Sequence, residues 1–287
     1  MERVLVAGAT GALGQHVVAA LKARGCRVRV LSRSAPRALS LGADEVVLGD
    51  ATRPASIADA CAGVERVFSC LGQSVAANLA IRGPGYHAVD YLGNHHLIEA
   101  AKRARVGRFV YVSVFGAEAY PANAYLRAHA DVAAELRASG LRYAIIQPTG
   151  FFSAFGAFLA MARGGMATLF GSGTARSNPI HDADLAELCA DTTLNATNEE
   201  ILVGGPEVYT RREVIELAFA ALGRQPRIVR APAWAPGAIG AALHPFAPRI
   251  GELLAFFGVV SRNDFVAPPY GERRLGDYFR ELTTTSR

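Results

Sequence analysis

The sequence predicts an α/β fold: a doubly wound parallel sheet followed by a smaller C-terminal α/β lobe. In the first half, short runs rich in β-branched residues alternate with helical stretches, and a glycine-rich loop follows the first run. From about residue 148, glycine, proline and aromatic residues accumulate. Apolar strands separated by helices are typical of a parallel sheet covered on both faces, and right-handed crossovers make it doubly wound. We therefore place the first domain at 1–150 and the lobe, partly integrated with the sheet, at 151–287.

Apolar runs and helical periodicity give the order of the elements. Six strands are predicted at 4–7, 27–31, 45–48, 65–69, 108–112 and 143–147. Helices are predicted between them at 14–24, 56–62, 90–104 and 125–139, with two more in the lobe at 182–194 and 211–222. Residues 231–248 carry no charge, but prolines rule out a continuous helix there, at Pro232, Pro236, Pro245 and Pro248.

Composition excludes several classes of protein. Of the 287 residues, 51% are apolar and 19% charged, which excludes a disordered, collagen-like or coiled-coil chain. The net charge is +5, but the 30 basic residues are scattered among 25 acidic ones, a pattern that argues against nucleic-acid binding. No apolar run approaches the roughly 20 residues of a transmembrane helix. Four cysteines without paired or metal-type spacing favour a reducing cytosol, so we expect a cytoplasmic protein with neither disulfides nor a metal site.

A glycine-rich loop lies between the first predicted strand and the first predicted helix. Its glycines are spaced G-x-x-G-x-x-G. Glycine permits a tight turn and a close approach of the backbone to a pyrophosphate, while the N-terminus of the next helix offers free N–H groups and a favourable dipole. We therefore predict a dinucleotide site formed by Gly8, Thr10, Gly11, Ala12, Leu13 and Gly14. The alternative is a tight strand–helix turn without a ligand.

The end of the second predicted strand indicates which dinucleotide binds. An NAD site places a carboxylate there for the ribose 2′-hydroxyl, but this sequence has Ser32 and Arg33, with Arg37 nearby and no acid between Glu2 and Asp44. A guanidinium and a hydroxyl suit a 2′-phosphate. The sequence therefore favours NADP(H) over NAD(H). The alternative is that the arginines are solvated surface residues.

Together with the loop, further segments resemble the short-chain dehydrogenase/reductase superfamily, and more closely its atypical, extended NmrA-like branch of NAD(P)-binding Rossmann folds. Gly49-Asp50 lies where an acid of that family touches the adenine, and 69–72 matches the segment that passes the nicotinamide ribose. Residues 139–152 are similar to the branch's SGL-x-Y…RP-x-GFF signature, with Gln147 where arginine is usual, and 178–184 to its I-H-V-x-D segment. The resemblance implies further cofactor contacts at Asp50, Ala51, Cys70, Leu71, Gly72, Pro148, Gly150 and Phe151.

The same resemblance implies a catalytic group. In that superfamily a serine orients the carbonyl, a tyrosine protonates the nascent alkoxide, and a lysine four residues later binds the nicotinamide ribose and lowers the tyrosine pKa. The matching positions are Ser113, Tyr125 and His129, so the lysine is replaced. Positions i and i+4 share one helix face, so His129 can serve the same site as a ribose ligand or proton relay. The alternative is an ordinary helix tyrosine and a surface histidine.

These residues predict an NADPH-dependent reductase that passes hydride to a carbonyl of an apolar or aromatic small molecule, with a conjugated double bond as the less favoured alternative acceptor. A monomer or homodimer is expected. Three alternatives stay open: a non-catalytic NADP(H) sensor or regulator, an epimerase or dehydratase that retains its cofactor, and an assembly protein that holds NADPH structurally. The apolar stretch 231–248 is compatible with a lid, a membrane contact or a subunit interface.

Overall fold

The computed structural model describes residues 1–73, 75, 85–195 and 198–284. Its strands, in chain order, are β1 (Arg3–Ala7), β2 (Arg27–Ser32), β3 (Glu45–Leu48), β4 (Arg66–Ser69), β5 (Arg108–Val112), β6 (Tyr143–Pro148), β7 (Ala167–Phe170), β8 (Arg176–Ser177), β9 (Glu199–Val203), β10 (Tyr209–Thr210) and β11 (Ile228–Ala231). Its α-helices are α1 (Ala12–Ala23), α2 (Ala35–Leu39), α3 (Leu92–Arg103), α4 (Ala124–Ala138), α5 (Phe152–Arg163), α6 (Asp182–Asn195), α7 (Arg211–Ala221), α8 (Ala235–Leu243), α9 (Pro248–Val260) and α10 (Leu275–Thr284).

The chain divides into two compact units, and the first contains Met1–Gln73, Tyr86–Gln147 and Leu185–Ile201. Within the described residues its centre is a seven-stranded sheet in the order β3-β2-β1-β4-β5-β6-β9. The ladders that join β3 through to β6 are all parallel. Strand order runs outward from β1 in both directions, which is the doubly wound arrangement, so the predicted fold class is confirmed.

The helix predicted at 56–62 is wrong. The structure has a short 3₁₀ turn at Pro54–Ile57, followed by further turns. The Ser56 hydroxyl contacts the carbonyl oxygens of Asp50 and Arg53, at 2.9 and 2.8 Å, and accepts from the Asp50 N–H. A serine side chain bonded to local backbone competes with α-helix formation, so the segment stays in turns.

The second unit contains Pro148–Asp184 and the chain from Leu202 onward. β7 pairs in parallel with β11, and β8 pairs antiparallel with β10. Helices α5, α7 and α10 contribute to a core of its own, which includes Phe152, Phe155, Phe219 and Phe279. Phe152 and Phe155 therefore fill this core, and Phe158 packs against it.

Prolines mark where α8 and α9 begin. Pro236 lies in the first turn of α8 and Pro248 in the first turn of α9, where a missing N–H costs no helical hydrogen bond. Pro245 lies in the connection between them. The predicted absence of a continuous helix over 231–248 is thus confirmed. Across the described ranges, the helices are all too short or too polar to cross a membrane.

Candidate functional site

The glycine-rich loop packs tightly at its first and third glycines but not at its second. Gly8 has a φ of +85°, and a Cβ there would lie 2.6 Å from the carbonyl oxygen of Cys70. A Cβ on Gly14 would collide with the carbonyl oxygen of Gly8. A Cβ on Gly11 would meet only that same oxygen, at 3.2 Å, and Gly11 is exposed. Internal packing therefore explains why positions 8 and 14 require glycine, whereas glycine at position 11 leaves open space beside the loop.

Helix α1 begins directly after this loop with a free N-terminus. Gly11 is the N-cap residue, no side chain caps the helix, and its first turn contains no acidic residue. Backbone N–H groups at such an end lack intrahelical partners and carry a partial positive charge, which suits a phosphate. The open space at Gly11 and the uncapped helix together fit the pyrophosphate of a dinucleotide.

The two polar residues at the end of β2 have different surroundings. The Ser32 hydroxyl is buried, donates to the Ser34 carbonyl oxygen and accepts from the Ser34 N–H, both at 3.0 Å. Arg33 is exposed, and no ion pair involves its guanidinium among the described residues. Asp44, the first acid after Glu2, pairs with Lys22 at 2.8 Å. The end of β2 therefore presents a cation and no carboxylate.

Asp50 closes a turn after β3. Its Oδ1 accepts from the N–H and the hydroxyl of Thr52, at 2.9 and 2.8 Å. These bonds, with the positive charge of Arg33, hold the pKa of Asp50 below its usual value. Ala51 is buried, and its carbonyl oxygen lies 2.8 Å from Nδ1 of His96. The adenine contacts of Asp50 and Ala51 stay predictions.

Two residues that the sequence analysis missed hold the loop after β4. Asp90, in the helical turn directly before α3, and Asn94, in the first turn of α3, are both fully buried. Asn94 donates to the Leu71 carbonyl oxygen at 3.0 Å, and the Asp90 carboxyl group accepts from the Gln73 N–H at 3.1 Å. A Cβ on Gly72 would lie 2.9 Å from Asp90 Oδ1. The helix thus fixes the path of the segment predicted to pass the nicotinamide ribose.

The end of β5 and the start of α4 position the predicted catalytic residues within the first unit. Ser113 follows β5 directly and is 4% exposed. Helix α4 begins after Asn123, whose side chain caps it by accepting the Leu126 N–H at 3.1 Å. Tyr125 lies in the first turn of α4 and His129 in the next. Their ring centroids are 4.8 Å apart in an edge-to-face contact, so the expected shared helix face is present.

His129 is directed into the interior of the first unit. Its Nδ1 lies 2.6 Å from the Tyr111 hydroxyl, and its Nε2 lies 3.6 Å from Asp90 Oδ1. Nε2 makes no hydrogen bond within the described part of the chain. Burial lowers the pKa of His129 to about 4, so its imidazole is neutral at pH 7. Asp90, Tyr111, Tyr125 and His129 are called the buried polar cluster below.

Tyr125 keeps its proton at neutral pH. Burial raises its pKa well above 10, and the charge of Asp90 and the neighbouring Tyr86 raise it further. The Tyr86 ring packs edge-on against Tyr125 with a centroid distance of 4.8 Å. A phenol with such a pKa is a proton donor and is unsuited to act as a base near pH 7.

The buried imidazole makes stability depend on pH. In the unfolded chain His129 takes up a proton below its usual pKa near 6.5, whereas the folded protein resists this until about pH 4. Stability should therefore fall as pH drops from 6.5 to 4, by roughly 3 kcal/mol from this group. Urea unfolding of the wild type and of His129→Gln at both pH values tests this. Between pH 6.5 and pH 4, the free energy of unfolding of the variant should fall by about 3 kcal/mol less than that of the wild type. Equal decreases would contradict the assignment of His129 as a buried, neutral imidazole.

Three predicted cofactor contacts lie in the second unit. Pro148 is the last residue of β6, and Gly150 and Phe151 follow it. Backbone hydrogen bonds hold this segment, since Ile180 N–H donates to the Gly150 carbonyl oxygen at 2.9 Å and Phe152 N–H to that of Ile180 at 3.0 Å. The contacts of Pro148, Gly150 and Phe151 with a cofactor stay predictions. Within the described ranges, no cluster of His, Cys, Asp and Glu is arranged to hold a metal ion.

Comparison with known proteins gives the family. A family model described as NAD(P)H-binding matches residues 8–196. The chain is 31% identical to divinyl chlorophyllide a 8-vinyl-reductase of Oryza sativa subsp. indica, over 97% of this chain and 78% of that protein. It is 30% identical to ceramide reductase of Caulobacter vibrioides, over 80% of this chain and 73% of that protein. An NADPH-dependent quinone oxidoreductase from Escherichia coli, solved with NADPH, superposes with a TM-score of 0.77 at 18% identity, covering 98% of this chain and 99% of that one.

These matches confirm the predicted superfamily, the NAD(P)H cofactor and the class of enzyme, an NAD(P)H-dependent oxidoreductase. The matched range includes the glycine-rich loop, the ends of β2 and β3, the loop after β4, and the buried polar cluster. The chain therefore belongs to the NAD(P)H-binding family, within the extended, NmrA-like part of the short-chain dehydrogenase/reductase superfamily.

Proposed function

We propose that this protein is an NADPH-dependent reductase acting on a ketone- or quinone-type carbonyl of an apolar or aromatic small molecule. The observation that carries the proposal is the protonated, buried phenol of Tyr125, one helix turn from a neutral His129. Reduction of a carbonyl ends with a proton on oxygen, and a group that retains its proton at pH 7 supplies it. The reverse reaction needs a base, which this phenol is not.

The first unit has residues suited to hold the cofactor. The free N–H groups at the start of α1, beside Gly11, would hold the pyrophosphate, and Arg33 would hold the 2′-phosphate. The loop after β4, fixed by Asp90 and Asn94, would contact the nicotinamide ribose. When bound, NADPH supplies the hydride.

The proton and the orientation of the substrate come from the chain itself. Ser113 directs its hydroxyl to the carbonyl oxygen and polarises it, while Tyr125 Oη holds the proton that this oxygen receives. His129 acts as a relay and positioning group rather than a ribose ligand, because both of its nitrogens face buried partners, Tyr111 and Asp90. A neutral imidazole leaves no buried charge if it accepts a proton on one nitrogen while it releases the proton of the other.

The missing lysine fits the direction of this reaction. Lys22 pairs with Asp44 at 2.8 Å and Lys102 with Glu99 at 2.7 Å, so neither lysine serves the buried polar cluster. An ammonium beside Tyr125 would favour the phenolate, which is the form that removes a proton from an alcohol. Its absence leaves the phenol protonated, and the enzyme is thereby specialised for reduction.

Cofactor choice is tested at Arg33. Arg33→Ala removes a charge-assisted contact to the 2′-phosphate, so NADPH binding should weaken on the order of 1.5–3 kcal/mol while NADH binding is unchanged. Calorimetric titration with both nucleotides measures this, with NADH as the internal control. Equal losses of binding free energy for NADPH and NADH would show that Arg33 does not bind the 2′-phosphate.

A second candidate is reduction of a conjugated carbon–carbon double bond. It is favoured by the similarity to the 8-vinyl-reductase of Oryza sativa over 97% of this chain. In that reaction the proton goes to carbon, so Ser113 and Tyr125 would contribute less. The two candidates are separated by the product, which is an alcohol or hydroquinone in the first and a saturated bond in the second.

The proposal is tested by NADPH oxidation with a panel of ketones, quinones and enones under anaerobic conditions. Net consumption of NADPH with a ketone or quinone, and formation of the corresponding alcohol or hydroquinone, supports it. NADPH consumption with enones alone would instead support reduction of a conjugated carbon–carbon double bond. Tight NADPH binding without turnover indicates a sensor, regulator or assembly protein, and product formation without net consumption indicates an epimerase or dehydratase.

A further inference from the structure

Helix α8 is apolar on every face although much of it is exposed. It contains no charged residue, and the segment from 231 to 248 has none either. The exposed fractions are 65% for Trp234, 50% for Ile239, 38% for Leu243 and 87% for Phe246. A helix on the surface of a globular protein normally presents a polar face to water. Clustered large apolar side chains on a surface mark a contact with something else.

One narrow stripe of α8 is used for packing within the second unit. Pro236 and Gly240 are buried, and a Cβ on Gly240 would lie 2.6 Å from the carbonyl oxygen of Gly251 in α9. The two helices therefore approach closely along their glycines. Ile239 and Leu243 follow the spacing i, i+4 in α8, Phe246 lies in the turn after the helix, and all three are exposed. We call Trp234, Ile239, Leu243 and Phe246 the apolar tip.

The surrounding sequence is strongly basic. Residues 217–251 contain no aspartate or glutamate and four arginines, at 224, 227, 230 and 249. This segment alone carries +4 of the protein's net charge of +5. Arg227 and Arg230 are exposed, and among the described residues neither forms an ion pair. Both precede the apolar tip by no more than seven positions.

We propose that the apolar tip docks onto an anionic lipid surface, with Arg227 and Arg230 against the headgroups. Apolar side chains flanked by arginines are what an interfacial, non-spanning contact requires, and an aromatic residue such as Trp234 suits the headgroup level. α8 is 9 residues and about 14 Å long, too short to span the roughly 30 Å hydrocarbon core. The contact does not depend on the reaction proposed above.

Charge favours lipid over a second copy of the chain. In a symmetric dimer through the apolar tip, the same patch of both copies would meet, so the arginine-rich segments of the two copies would be brought together. Like charges would then oppose the association, whereas anionic headgroups neutralise them. Each exposed arginine therefore strengthens a lipid contact and weakens a dimer.

The single tryptophan makes the test direct, since Trp234 is the only one in the chain. Purified protein is titrated with phosphatidylcholine vesicles, with or without 25% phosphatidylglycerol, while tryptophan emission and co-sedimentation are followed. With the anionic vesicles at low salt, emission should shift to shorter wavelength and the protein should sediment. Neutral vesicles, or 0.5 M salt, should weaken binding at least several-fold.

Variants measure the contributions of the apolar tip and of the two arginines to lipid binding separately. Phe246→Asp and, independently, Ile239→Asp should lower the partition coefficient at least tenfold, and Leu39→Asp, at a 63% exposed position in the first unit, should not change it. Arg227→Gln combined with Arg230→Gln should lower it about 30-fold. Unchanged binding in both tip variants, no sedimentation with anionic vesicles, or a dimer by light scattering that Phe246→Asp dissociates would each overturn the proposal. Thermal unfolding confirms that every variant compared is folded.

Discussion

Replacing Tyr125 by phenylalanine should lower kcat for carbonyl reduction by about 10²- to 10⁴-fold and leave the Kd for NADPH unchanged. The substitution removes one oxygen and leaves the edge-to-face contacts of the ring with Tyr86 and His129 in place. The proton that the phenol holds is lost with its hydroxyl. Steady-state rates with the carbonyl substrate found in the panel, and calorimetric titration with NADPH, measure the two effects separately.

A matched control is Tyr143→Phe, because Tyr143 begins β6, at the opposite end of the parallel strands from Ser113. This variant should keep the wild-type rate. If Tyr125→Phe also retained the full rate, the proton would come from water or from the substrate, and the catalytic role given to Tyr125 would be wrong.

Replacing Gly11 by valine should abolish dinucleotide binding while the protein stays folded. A Cβ at this position meets only the Gly8 carbonyl oxygen, at 3.2 Å, so the side chain is accommodated with a small shift. The branched side chain then occupies the space beside the uncapped start of α1, where the pyrophosphate would lie. Calorimetric titration with NADPH and NADH and thermal unfolding measure the two parts of the prediction.

Gly14→Ala provides the contrasting variant. Its Cβ would collide with the Gly8 carbonyl oxygen, so this substitution should lower the melting temperature, unlike Gly11→Val. Unchanged nucleotide affinity in Gly11→Val would mean that the loop serves only as a tight strand–helix turn.

Much of the first unit could be predicted because its signals are local. The six strands were predicted to within one residue, since buried parallel strands read as short apolar runs between helices. The glycine-rich loop is likewise a local feature of spacing. The helix predicted at 56–62 failed because a side chain, Ser56, decides the local backbone there by bonding to Asp50.

The buried polar cluster could be predicted only in part. Tyr125 and His129 share a helix, so their proximity follows from the spacing i, i+4. Tyr111 and Asp90 reach His129 from β5 and from the turn before α3, and such contacts depend on how the elements pack. A signal existed for Asp90 and Asn94, which are two polar residues four positions apart on a helix face that continues as Leu97 and Ala101, but the sequence does not show what they bind.

The most direct test of the account is whether hydride passes from NADPH to a carbonyl carbon. NADPH carrying deuterium at C4, prepared separately in each stereochemical form, is incubated anaerobically with the wild type and the carbonyl compound that is reduced fastest in the panel, and the product is analysed by mass spectrometry. The account predicts one deuterium on the carbinol carbon of an alcohol product, from one of the two cofactor forms only. A hydroquinone keeps no deuterium at its C–OH carbon, so a quinone substrate is scored by its product and by the consumption of one NADPH per product. If every ketone and quinone tested leaves NADPH unoxidised, although the protein binds it, the central claim is contradicted.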